Sequence, residues 1–240
     1  MGSVGEGIEK LLLEGAITIR ELSPWGTNYT FVVDVRDGAN RSAQAIYKPS
    51  QGEAPLWDFP YGSLYKREYA AYLLSCALGW ALVPLTVVRN GPHGVGSLQL
   101  YVDHDPRRDY FKLRSAHREA MQAMACFDLV ANNADRKAGH CILDGSGHVW
   151  GIDHGLTFHA QLKLRTVIWD FCGQEIPERL LADLRRLRPL LDAPTGDVAN
   201  LTRLLLPEER VALARRVDWL VKNRTYPLLD PYRNVPRPPW

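Results

Sequence analysis

The chain has 240 residues, 46% of them hydrophobic, with 29 Lys and Arg against 27 Asp and Glu and a formal charge of +2. That length suits one large domain or two small lobes; the near balance of charge gives no footing for nucleic acid, and no apolar run approaches the roughly 18 residues of a membrane span. The cysteines Cys76, Cys126, Cys141 and Cys172 are scattered without a CxxC pair, which argues against a disulfide framework or a cysteine zinc site and for reduced thiols in a cytoplasmic protein.

The opening MGSVGEGIEKLLLEG lacks the basic and then apolar regions of a secretion signal, and Glu6 stands where a myristoylation pattern wants Ser or Thr. No stable membrane anchor is expected. Residues 16–22 (AITIREL), 29–35 and 42–48 alternate and are rich in β-branched and aromatic side chains, so they read as strands, separated by the turn sequences SPWGTN and RDGAN. After a loop rich in proline and aromatics, residues 64–78 read as a helix stopped by Gly79, and LVPLTVV and SLQLYV return to strand. RSAHREAMQAMACFDLVANN repeats apolar residues at helical spacing, and HCILD and HVWGID form a hairpin about GSG. Residues 178–190 and 208–223 read as helices, and the tail YPLLDPYRNVPRPPW is too rich in proline for regular structure. The expected fold is α+β. A small antiparallel sheet lobe with one helix spans residues 1–102, and a mainly helical lobe spans 103–240.

The segment FDLVANNADRKAGHCILDGSGHVWGIDHGLTFH sets Asp135 and Asp153 in turn-prone loops, with His140, His154 and His159 close beside them. Two chemistries fit: a histidine and carboxylate metal centre, or the catalytic and metal loops of a phosphoryl-transfer enzyme. HExxH is absent, and His154, next to Asp153 at a strand end, should point to the opposite side. His154 and His159 are therefore expected in structural roles. Phosphoryl transfer needs a cover and a cation for the phosphates, a carboxylate for the divalent ion and another carboxylate for the acceptor. Lys48 ends the third strand in AIYKP, Glu68 lies on the next helix, and Asn133, Asp135 and Asp153 follow in that order. Taken singly, Lys48 and Glu68 read as surface charges and each aspartate as a turn cap. Taken together and in order, they favour phosphoryl transfer.

These motifs resemble the phosphatidylinositol 3- and 4-kinase superfamily, most closely the type II phosphatidylinositol 4-kinases and small bacterial proteins of PI3/PI4-kinase-like type. The resemblance runs from about Ser23 to Phe158. It implies a two-lobed kinase-like fold and a phosphotransferase that uses ATP with Mg2+ or Mn2+. It implies that Lys48 contacts the α- or β-phosphate and that Glu68 orients it. Ser23, Gly26, Thr27 and Asn28 would cover the phosphates, and Leu100, Tyr101 and Val102 would form the hinge that reads adenine through backbone groups. Asp135 would be the catalytic aspartate, with Asn133 and Arg136 in the same loop, and Asp153 and His140 would be the metal ligands. Lys48, Asp135 and Asp153 would converge on one triphosphate.

The sequence departs from that family where His140 replaces an asparagine, where His154 follows Asp153, and in lacking the cysteine-rich insert of the type II lipid kinases. The expected function is a kinase acting on a protein or small polar acceptor. A nucleotide-binding pseudokinase acting through a protein partner, a phosphoinositide kinase and an AMP transferase stand beside it. Oligomeric state is not legible.

Overall fold

The computed structural model describes residues 3–23, 28–39 and 41–239. The elements run α1 (Ser3–Glu14), β1 (Ala16–Leu22), β2 (Phe31–Arg36), β3 (Ser42–Pro49), α2 (Leu64–Leu78), β4 (Thr86–Gly91) and β5 (Gly94–Leu100). They continue with α3 (Tyr110–Leu113), α4 (Arg118–Ala131), β6 (Cys141–Leu143), β7 (Val149–Gly151), α5 (Glu178–Asp192), α6 (Gly196–Leu204) and α7 (Pro207–Asn223). The chain divides into two compact units: residues 1–69 with 84–102, and residues 70–83 with 103–240. The division falls within α2.

The first unit is built on a five-stranded antiparallel sheet in the order β1-β2-β3-β5-β4. Its period of two sorts the side chains by face. Phe31 and Val33 of β2 pair with Tyr47 and Ala45 of β3, and all four are buried. Leu11 and Leu12 of α1 pack on that face with Val87 and Leu98. Arg89 fastens the end of α1: its Nη1 donates to the carbonyls of Leu12 at 2.9 Å and Gly15 at 2.8 Å, which the helix itself cannot satisfy. Gly15 is needed there, because a Cβ would lie 2.7 Å from both the Leu11 carbonyl oxygen and Val35 Cγ1. Gln44, Ile46 and Lys48 alternate onto the opposite, half-open face.

Strand limits differ from the sequence reading for local reasons. Tyr29 donates its N–H to Gly52 at 2.9 Å, outside the ladder, so β2 begins at Phe31. The N–H groups of Leu82 and Val83 go to Ser75 Oγ at 2.8 and 3.3 Å, which ties these residues to the end of α2 and delays β4 to Thr86.

In the second unit α4 is the central element, with Met121, Met124, Phe127 and Val130 out of solvent. Its end is set by Asn132, in the left-handed region at φ 53°, a conformation asparagine tolerates better than most residues. β6 and β7 form the expected hairpin, Ile142 opposite Trp150. Asp144 Oδ1 shapes its turn by accepting the N–H groups of Ser146 and His148, each at 2.9 Å. Leu180, Leu184 and Leu187 of α5 and Leu213, Val217 and Leu220 of α7 are buried as helix spacing dictates. The tail after α7 has neither helix nor strand, but it is fastened. Asn234 accepts the Thr166 N–H at 2.9 Å and donates its amide to the Leu164 carbonyl at 2.7 Å, while Pro239 accepts the Ala138 N–H at 2.9 Å. Among the described residues, no helix is long and apolar enough to cross a membrane.

Candidate active site

In the first unit, Lys48 Nζ forms an ion pair with Glu68 Oε1. Glu68 is only 3% exposed and the Lys48 side chain 22% exposed. A carboxylate so far from water needs its partner, so the pair fixes the Lys48 ammonium on the half-buried face of the sheet. Arg20, Glu21, Val32, Gln44 and Tyr101 line a concavity in the same unit. Val32 and Gln44 share the face of Lys48, since Val32 lies opposite Ile46 in the ladder.

In the expected hinge and phosphate cover, several groups are bonded within their own unit. The N–H of Leu100 donates to Leu85 at 2.8 Å and that of Tyr101 to Gln44 at 3.0 Å. Neither amide can serve a base without breaking a bond of its own unit; Val102 closes the unit. The Ser23 N–H bonds the Thr30 carbonyl at 2.7 Å, and Asn28 Oδ1 accepts the Ala54 N–H at 2.7 Å. Asn28 therefore fastens the loop to the segment after β3. Gly26 and Thr27 lie outside the described residues.

In the second unit, the loop after α4 is organised around Asp128 and Arg136. The Arg136 guanidinium is 0% exposed. Its Nε lies 2.9 Å from Asp128 Oδ2 and its Nη2 2.9 Å from Oδ1, while Nη1 donates to the carbonyls of His140 at 3.2 Å and Ile152 at 3.0 Å. Nη2 also meets His154 Nε2 at 2.7 Å. A guanidinium only donates, so His154 accepts at Nε2 and is a neutral imidazole with its proton on Nδ1. Asn133, also buried, donates to Asp128 Oδ1 at 2.9 Å and accepts the Asp135 N–H on its own Oδ1 at 3.0 Å. Arg136 and Asn133, expected in the catalytic set, hold the loop from within and face no solvent.

That scaffold leaves two further carboxylates in the loop, Asp135 largely buried and Asp153 exposed. Asp135 Oδ2 pairs with Lys137 Nζ at 3.1 Å. Burial pushes its carboxyl above the ordinary carboxylate range, Lys137 pulls it back, and the charge of Asp153 pushes it further. The two aspartates therefore lie within electrostatic reach of each other. The Asp153 side chain is 51% exposed and its backbone left-handed at φ 59°. It turns outward, while the next residue, His154, is buried. A solvent-facing carboxylate with a second one nearby is a donor set suited to a hard divalent cation, which takes one or two carboxylates and completes its shell with water and phosphate oxygens. The His140 ring lies beside it, Nε2 3.4 Å from Asp153 Oδ2 and Nδ1 receiving the Lys137 N–H at 3.3 Å.

His140, His154 and His159 do not converge. His154 is bonded to Arg136, His140 faces Asp153, and His159 Nδ1 accepts the Gln161 N–H at 3.0 Å. Among the described residues, no group of three or more His, Cys, Asp or Glu side chains could hold a metal ion. Cys126 and Cys141 are equally inert, since burial pushes both thiols up to about 12.

Sequence reasoning passed over Asp128, Asn132 and Lys137. Asp128 stood out as a charge inside the apolar run ACFDLVA. Lys137 gave only its place two residues after Asp135. Asn132 donates to the carbonyls of His159 at 2.8 Å and Gln161 at 2.7 Å and accepts the Lys163 N–H at 2.9 Å, clamping the segment that follows Asp153. That segment also pairs in parallel with the loop through Arg136 and Thr166.

The architecture is kinase-like. The crystal structure of the Golgi casein kinase with Mn/ADP bound matches it at a TM-score of 0.57 and 15% identity, over 90% of this chain and 74% of that one. The structure of hydra Fam20 with sugar matches at a TM-score of 0.55 and 14% identity, over 92% and 89% of the two chains. No family model matches. In sequence the chain is 35% identical over 263 aligned residues to Protein Rv2133c of Mycobacterium tuberculosis, covering 95% of this chain and 94% of that protein, and it belongs to the family of that protein. It is also 29% identical over 176 residues to phosphatidylinositol 4-kinase gamma 4 of Oryza sativa subsp. japonica, covering 58% of this chain and 31% of the rice protein.

Proposed function

We propose that this protein is an ATP- and divalent-metal-dependent kinase of PI3/PI4-kinase-like type that phosphorylates a protein or a small polar molecule. The observation that carries the reading is the pairing of Lys48 with a buried Glu68 on β3 and α2. An ion pair held in this way fixes an ammonium for nucleotide phosphates. In this reading Lys48 binds phosphate oxygens and Asp153, with water and phosphate, holds Mg2+ or Mn2+. A bound divalent cation would neutralise charge on the transferring phosphoryl group. Asp135 orients the acceptor hydroxyl and takes its proton, a task suited to a carboxylate whose proton affinity burial has raised. Lys137, paired with it, keeps the ionised form in place. The Mn/ADP of the Golgi casein kinase supports the choice of nucleotide and ion.

The test is transfer of labelled γ-phosphate, to the protein itself and to a panel of acceptors. Asp135→Ala should retain nucleotide binding and lose transfer by about 10²–10⁴-fold; Asp153→Ala should weaken binding of metal and nucleotide. Wild-type transfer in both variants contradicts the assignment. The rice relative favours a second reading, in which the acceptor is an inositol lipid. Phosphatidylinositol vesicles in the acceptor panel separate the two.

A further inference from the structure

The backbone around Asp135 is held by two other segments of the second unit. Arg165 donates its N–H to the Asn133 carbonyl at 2.9 Å, Arg136 to the Arg165 carbonyl at 3.0 Å and Val167 to the Arg136 carbonyl at 3.1 Å. Residues 165–167 thus run as a strip along the loop. While Arg165 bonds the loop, its neighbours bond the tail: the Thr166 N–H goes to the Asn234 carbonyl at 2.9 Å, and the Asn234 amide goes to the Leu164 carbonyl at 2.7 Å. The tail also reaches the loop directly, three residues past Asp135. There the Pro239 carbonyl accepts the N–H of Ala138 at 2.9 Å. Ala138 is out of solvent, so its amide needs an acceptor, and the tail supplies it.

The tail is anchored at its start and turned in its middle. Tyr226 accepts the Gly173 N–H and donates its own to Gln174, each at 3.0 Å, and its hydroxyl donates to the Gln122 carbonyl of α4 at 2.9 Å. The Asp230 carbonyl then accepts the Asn234 N–H at 2.8 Å and Asn234 Oδ1 accepts the Asp230 N–H at 2.8 Å, a closed turn that presents Asn234. Leu228 is 83% and Tyr232 85% exposed, so hydrogen bonds rather than burial hold this middle part. We propose that residues 225–239 form a strap that positions Asp135, gripping through Asn234 and the Pro239 carbonyl, so that its release lowers phosphoryl transfer and leaves nucleotide binding intact. The inference rests on the kinase reading for the work of Asp135, though not for the grip itself.

The experiment uses the full chain with single substitutions. Asn234→Ala removes the bond to Leu164. Ala138→Pro removes the N–H given to Pro239 where the backbone accepts proline: Lys137 before it is extended at φ −88° and ψ 166°, and Ala138 opens the single 3-10 turn Ala138–His140. Ala138→Gly keeps the amide and is the control. In Asn234→Ala, hydrogen exchange should quicken about 10-fold at the Arg136 and Ala138 amides and stay as in wild type at the buried amides of α5. In Asn234→Ala and Ala138→Pro, kcat for transfer of γ-phosphate should fall about 10²-fold, with the dissociation constant for ATP and Mn2+ unchanged. Ala138→Gly should keep the wild-type rate. Should Ala138→Pro fail to fold, Asn234→Ala decides. Unchanged exchange at Arg136 and Ala138, or quickened exchange with unchanged kcat, overturns the proposal. Equal quickening in α5, the mark of general loosening, overturns it as well. If the wild type transfers no phosphate, the kinase reading fails, while exchange at Arg136 and Ala138 still decides whether the strap holds the loop.

Discussion

Asp128 and Arg136 meet as a forked pair inside the second unit, Nε 2.9 Å from one carboxylate oxygen and Nη2 2.9 Å from the other, with both side chains out of solvent. Such a pair is costly to break from one side, because the survivor is a buried charge. Arg136→Met should lower stability by about 3–5 kcal/mol in urea denaturation, and Arg136→Lys should not rescue it, since an ammonium cannot fork. A loss below about 1 kcal/mol would mean that the loop is held by other contacts.

The same logic applies to Lys48 and Glu68. Lys48→Met takes the ammonium away from a carboxylate that is 3% exposed, at a cost of about 1–3 kcal/mol. Adding Glu68→Leu should recover most of that loss in a double-mutant cycle. Additive losses would show that the pair is not coupled.

Asp135 gives a pH signature. Its folded-state affinity for a proton is raised above that of the unfolded chain, so the native state gains stability as pH falls from the folded value towards the ordinary 3.8. Above that window the ionised carboxylate costs stability. Asp135→Asn should therefore melt higher than wild type at pH 7, and the difference should shrink on acidification towards pH 4. A variant less stable at pH 7 contradicts this.

Asn132→Gly keeps the left-handed backbone but removes the clamp on His159, Gln161 and Lys163. The expected loss is about 1–3 kcal/mol, with amide exchange accelerated at Lys163. Asn234→Ala, which releases the Leu164 carbonyl, should loosen residues 164–166. Unchanged exchange in both variants would mean that backbone bonds alone order this segment.

Alternation made β1 and β3 legible, and the Gly79 stop gave α2 its limits, because local periodicity and a capping residue decide such elements. Three helices escaped the sequence reading. α1 was weighed only as a targeting segment, although Ile8, Leu11 and Leu12 recur at helical spacing before Gly15. The short α3 and α6 carry too few turns to show a period. Among the candidate residues, Asp135, Asp153, Lys48 and Glu68 were picked out by type and order. The roles of Asn133 and Arg136 were not, because burial is a tertiary outcome and a polar residue in a loop motif looks the same whether it faces substrate or core.

Equilibrium binding of ATP with Mn2+ tests the central claim most directly, read as a rise in melting temperature. At 100 times the dissociation constant the wild type should gain about 2.7 kcal/mol, and Lys48→Met and Asp153→Ala should each lose most of that gain. No stabilisation of the wild type, or an equal gain in all three proteins, would contradict it.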